Sequence, residues 1–174
     1  MRGYREQIHL QGGHSFQVLR WARNVREVEM VLTPGTARRL HGEGDHWHYH
    51  AAMELTCFTT GEGTSFIGDN IAPFAAGDVV LLGENLPHYW HARGNSAGLA
   101  VLWHFPPSHC FWSFPENLAL TNLFQSATRG LRYTGRTATA LREGLETLAQ
   151  RGGPARLAQL LHLFALMAAA PANE

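Results

Sequence analysis

A chain of 174 residues has room for one ordinary domain, or for a domain with a helical appendix. Hydrophobic residues make up 45% and charged ones 16%, which excludes a disordered chain. Lys plus Arg and Asp plus Glu each number 14, so the formal net charge is zero, and no basic footprint marks a nucleic-acid or anionic-membrane surface. The amino-terminal region holds no apolar run of signal-peptide length, and no stretch reaches the roughly 18 residues that span a bilayer. The expected location is therefore the cytoplasm. Cys57 and Cys110 match no metal or redox spacing and read as two buried or half-buried thiols. The 11 histidines are unevenly spread, and that skew needs a reason.

Up to about residue 105 the chain reads as short strands divided by turn signals. Ser15–Trp21 and Glu27–Thr33 carry β-formers, the second stopping at Pro34-Gly35. His46–Thr60 follows the Gly42-Glu43-Gly44-Asp45 turn, and Gly61-Glu62-Gly63 reads as a hairpin loop. Thr64–Gly68, Ile71–Phe74, Val79–Leu82, His88–Ala92 and Gly98–Phe105 complete the set. Many short strands with Gly, Pro, Asn and Asp punctuation predict a sandwich or barrel.

After Pro106-Pro107 the pattern becomes helical. Pro115 opens a segment to about Thr128, and Thr137–Gln150 places Leu141, Leu145 and Leu148 on one stripe. Beyond Gly152-Gly153-Pro154, Ala155–Ala170 carries a wide apolar face of Leu157, Leu160, Leu161, Phe164 and Met167. Its one cation is Arg156, so this helix does not suit a DNA groove. It suits packing on the barrel or on a second copy of itself. The expected division is residues 1–112 as β-barrel and residues 113–174 as the helical segment.

In a strand, residues two apart face the same way, so His48 and His50 are neighbours able to chelate one ion. Glu54 keeps that parity, yet a straight strand would carry it about 13 Å from His50. It joins the pair only if residues 51–53 bend, which the small Ala51 and Ala52 permit. His88, where a turn gives way to a strand, is the candidate fourth ligand. Three imidazoles and a carboxylate suit a divalent transition metal (Zn, Ni, Fe, Mn or Co) over Ca or Mg.

The run Gly42-x5-His48-x-His50-x3-Glu54-x6-Gly61 resembles the first cupin motif at every defining position. The second motif is met at Gly77 and His88, with Gly83, Asn85 and Ala92 standing for its proline, glycine and asparagine. The resemblance implies a mainly β fold, the cupin double-stranded β-helix or jelly-roll barrel, followed here by two or three carboxyl-terminal α-helices. A narrower likeness is carried by Trp47-His48-Tyr49-His50, Phe66-Ile67-Gly68-Asp69, Asn85-Leu86-Pro87-His88-Tyr89-Trp90 and the leucine-rich final helix. These resemble the amino-terminal sensor of AraC-type transcription regulators. That likeness implies a barrel that binds a small-molecule effector, such as a sugar or small metabolite, and helices that form a homodimer. It also implies a DNA-reading half, which these 174 residues do not include, so no direct nucleic-acid contact is expected from them.

His46, Trp90, His91, Trp103 and His104 are candidate ligand contacts beside the metal set. The aromatics Trp47, Tyr49, Tyr89, Trp90, Trp103 and Phe105 would suit a sugar or an aromatic acid, or simply pack the sandwich. No catalytic residue is assigned. The leading expectation is an effector sensor, with a free-standing cupin metalloenzyme of dioxygenase, isomerase or decarboxylase type as the alternative.

Overall fold

The computed structural model describes residues 4–8 and 14–171. Twelve strands make up two sheets among these residues: β1 (Tyr4–Arg5), β2 (Phe16–Trp21), β3 (Glu27–Thr33), β4 (Thr36–His41), β5 (His48–Tyr49), β6 (Met53–Thr60), β7 (Glu62–Ile67), β8 (Asn70–Ala75), β9 (Val79–Leu82), β10 (His88–Ala92), β11 (Ala97–Trp103) and β12 (Leu131–Tyr133). The smaller sheet runs β1-β5-β10-β7-β8, and the larger runs β12-β9-β6-β11-β2-β3-β4. Helix α1 (Thr121–Ser126), flanked by 3-10 turns, precedes α2 (Gly135–Gln150) and α3 (Gly153–Ala168). A mainly β barrel with carboxyl-terminal helices is the architecture expected.

Two hydrophobic layers explain why the strands of the larger sheet read as nearly continuous apolar runs. Trp21, Phe58, Val80, Leu82, Ala100 and Leu102 face the barrel interior, where they meet Phe74 and Trp90 of the smaller sheet. The alternate residues Leu55, Cys57, Val79, Leu81, Val101 and Trp103 face outward into Leu141, Leu145, Leu148, Leu160 and Phe164 of the helices. A sheet covered on both faces loses its hydrophobic alternation, as these strands do. Helix α3 is also tied to the sheet by the buried Arg156. Its Nη1 donates to the carbonyls of Val31 and Leu32 at 2.9 Å each, and its Nε donates to that of Arg151 at 2.7 Å.

Several boundaries differ from expectation. The single strand expected over His46–Thr60 is two, with a bend at Ala51-Ala52 between β5 and β6. Only Gly61 of the expected Gly61-Glu62-Gly63 loop lies outside the strands, its φ of +91° making the tight reversal that glycine favours. Strand β4 was not anticipated, because five of its six residues are exposed and it shows no apolar period. Strand β12, the three residues that directly follow Gly130, adds an edge beside β9.

Candidate metal centre

The two sheets meet at the candidate ligands. His48 of β5 and His88 of β10 are directly opposed in the smaller sheet, so their imidazoles start as cross-strand neighbours with ring centroids 4.2 Å apart. His50 lies one step past β5, just before the bend. The bend carries the chain into the larger sheet, where Glu54 sits on β6 between Leu82 and Leu102. Residues 51–52 thus supply the deviation that a straight strand would deny, and the Glu54 Oε2 comes to 3.2 Å from His50 Nε2 and 3.8 Å from His88 Nε2. The bend is held by the Asn85 amide, which donates to the His50 carbonyl at 2.8 Å. Asn85 has a φ of +58°, and asparagine tolerates this left-handed conformation at the motif position usually given to glycine.

One ligand atom from each of His48, His50 and His88 lies within 4.8 Å of the others, and all three residues are buried. Each ring has the same local tether. The Nδ1 of His48, His50 and His88 lies 2.8 Å from the carbonyl of His46, Ala52 and Leu86, respectively. A carbonyl only accepts, so each Nδ1 carries the proton and each Nε2 is the atom left for an ion, although without one the His50 Nε2 also carries a proton and donates it to the Glu54 carboxylate at 3.2 Å. Three such nitrogens beside a carboxylate make a donor set that fits a divalent transition ion. Thr56 completes the support, its hydroxyl donating to Oε1 of Glu54 and leaving Oε2 to the imidazoles.

The electrostatics follow from burial against charge. Burial pushes the His88 imidazole down to about 3 and also lowers that of His48, so both are neutral at pH 7. Burial opposes ionisation of Glu54, but hydrogen bonds and charge from His50, His88 and Thr56 win and hold it at about 2. For His50 the penalty of burial is likewise overcome by Glu54 and Glu6, and the imidazole stands above its usual range.

Glu6 escaped the sequence reading. Its amide donates to the Tyr49 carbonyl at 2.9 Å, extending the parallel pairing of β1 with β5, and its Oε2 lies 3.5 Å from His48 Nε2. Burial raises its carboxyl to about 7. No local pattern in Tyr4–Arg5 announces that pairing, which joins segments more than forty residues apart in the chain. Thr56 was more accessible, since it shares the parity of Glu54 on β6.

His48, Glu54 and His88 open onto an interior cavity of about 80 Å³. Its walls combine Leu19, Val28, Leu40 and Trp90 with Gln17 and Glu43, so it is apolar with a few polar points. Among the other residues considered from the sequence, the structure brings only Trp90 to this cavity. His46 is exposed and sits 2.9 Å from Asp45. His91 points outward from β10 as an exposed residue. Trp103 faces the opposite side of its sheet, buried against Phe124 and Phe164 of the helical layer. His104 lies beside Glu84 at 3.2 Å, half-exposed, and does not line the cavity. Parity along β11 places Ala100 and Leu102 inward, so Trp103 cannot join them.

A two-sheet barrel with three histidines and a glutamate converging inside it defines a cupin, and residues 27–105 match the family described as "Cupin domain". The match covers somewhat under half of the chain and the fold over it is that of a cupin; the chain as a whole resembles two solved regulator structures. The AraC-like transcriptional activator CuxR aligns with a TM-score of 0.51 at 10% identity, covering 68% of this chain and 41% of that one. ToxT K231A from Vibrio cholerae aligns with a TM-score of 0.50 at 13% identity, covering 88% of this chain and 54% of that one. The chain therefore spans about half the length of these relatives or less. No curated protein matches it in sequence. Among the described residues no helix is long and apolar enough to cross a membrane.

Proposed function

We propose that this chain is the effector-sensing domain of an AraC-type transcription regulator, in which a divalent transition ion held by His48, His50, Glu54 and His88 helps to bind a small polar molecule. The ion, when bound, would polarise and orient an oxygen of the effector. Leu19, Val28, Leu40 and Trp90 give that effector an apolar enclosure, and Gln17 offers an amide to its polar edge. A sugar or small oxygen-rich metabolite suits such a wall. The exposed side of α3, with Leu157 and Leu161, would join two copies.

The observation that carries this reading is the link from cavity to helix. Val28 of β3 lines the cavity, and three residues further along the same strand the Val31 carbonyl accepts from Arg156 of α3. A ligand that shifts β3 therefore acts on the helix that would transmit the signal, a connection that catalysis does not require. The likeness to CuxR and ToxT, which includes barrel and helices in the second case, supports the same reading.

Metal-loaded protein should be screened against sugars and small hydroxy acids by thermal shift, with helix response read by amide exchange over α3. Binding of an effector with altered protection in α3 is the expected result. Metal-dependent turnover or oxygen uptake, lost in His48→Ala, would replace the sensor with a cupin metalloenzyme.

A further inference from the structure

We infer that Glu6 is a further donor to the metal centre, so that the ion and the β1 strand are bound together. This rests on the metal reading above. The residue is not one of the four candidate ligands, and the structure gives it three properties of a ligand. Among the described residues its carboxylate is the one within 4 Å of His48 Nε2, at 3.5 Å, whereas Glu54 approaches His50 and His88. The two carboxylates thus serve different imidazoles of the same triad. Glu6 also lines the cavity onto which His48 and His88 open. Its backbone is fixed at the residue itself and two residues before it, by the Glu6 amide donating to Tyr49 at 2.9 Å and the Tyr4 amide donating to Trp47 at 3.0 Å.

Charge argues in the same direction. Three neutral imidazoles and Glu54 alone leave a dication half balanced, and a second carboxylate completes neutrality in a site with little water to share the load. Without the cation, two carboxylates facing one triad repel each other. The ion therefore favours the docked β1, and the docked β1 favours the ion, by the reciprocity that any such linkage obeys. Hard oxygen donors added to three nitrogens also raise the coordination number open to the ion and shift preference toward Mn, Fe or Co.

The test uses the whole chain stripped of metal and titrated with Co²⁺, reading affinity by competition, the visible band of the ion, and amide exchange in peptides containing residue 6. Wild-type protein should gain protection at residue 6 on binding. Glu6→Gln, an isosteric change, should bind Co²⁺ tenfold to a hundredfold more weakly, with an altered visible band and no metal-dependent protection. Gln7→Ala, an exposed neighbour, should behave as wild type. If wild-type protection does not respond to the ion, or if Glu6→Gln matches wild type in band and affinity while His48→Ala binds nothing, Glu6 is no donor and the four-ligand centre stands. If wild-type protein binds none of Co²⁺, Mn²⁺, Ni²⁺ and Zn²⁺, both the centre and the role of Glu6 fall.

Discussion

Each imidazole of the triad takes its orientation from a carbonyl two residues away, so ring position is set before any ion arrives. Removing one ring removes a ligand and leaves its tethering carbonyl without that donor. His48→Ala and His88→Ala should each weaken Co²⁺ or Zn²⁺ binding at least a hundredfold by calorimetry, with little change in the far-ultraviolet spectrum. The pH response of the metal-free protein follows from the depressed groups. His88 titrates near 3 folded and near 6.5 unfolded, so between those values the unfolded chain holds more protons. Glu54, near 2 folded against 4.5 unfolded, adds to this in the lower part of the range. Glu6, near 7 folded against 4.5 unfolded, runs the other way, so stability should rise with pH from about 3 to about 4.5 and flatten above it. Urea midpoints should show a shallower rise over that lower range in His88→Gln. The thiols give an independent check. Cys57 is buried, and burial pushes it up to about 12, whereas Cys110 is exposed. A disulfide reagent at pH 8 should label Cys110 promptly and Cys57 only after unfolding.

At the scale of elements, the hold of α3 on β3 depends on one buried guanidinium. Arg156→Met keeps much of the packing volume and removes three charge-assisted hydrogen bonds. It should lower unfolding free energy by about 2–4 kcal/mol in urea titrations, with the helical signal lost along with the rest. Leu145→Ala, at a fully buried position between α2 and the larger sheet, should cost a similar 2–5 kcal/mol. The elements with a one-sided or wholly apolar pattern, such as β9, β11, α2 and α3, were legible because burial writes directly into residue type. His48 and His50 were legible through strand parity, and Glu54 through the demand for a bend at residues 51–53. Strand β4 was not, since Thr36, Ala37, Arg38 and Arg39 are all exposed and its pairing to β3 rests on backbone bonds that any side chain permits. Trp103 misled because a sheet buried on both faces gives no hint of which side a ring occupies, and Glu6 because its contacts are set by pairing distant in sequence.

For the whole molecule, the solvent side of α3 is where the proposed dimer would form. Leu160 and Phe164, which belong to the apolar stripe read from sequence, are fully buried within the protomer. Changing them would unfold the chain and report nothing about assembly. Leu157 and Leu161 are 43% and 39% exposed. If the proposed dimer forms through this face, Leu157→Asp with Leu161→Asp should halve the mass in sedimentation velocity while the melting temperature of the protomer holds. Such an assembly would leave the metal centre, on the inner side of the sheet that α3 covers, free to respond in each copy. The carbonyl tethers carry one more implication. Because every histidine is aimed by its own strand and turn, no residue of the cavity wall is needed to aim it. If the site holds an ion as proposed, Leu19, Val28, Leu40 and Gln17 are therefore free to change without loosening the grip on it, and a lineage could alter the cavity wall while inheriting the ligand set.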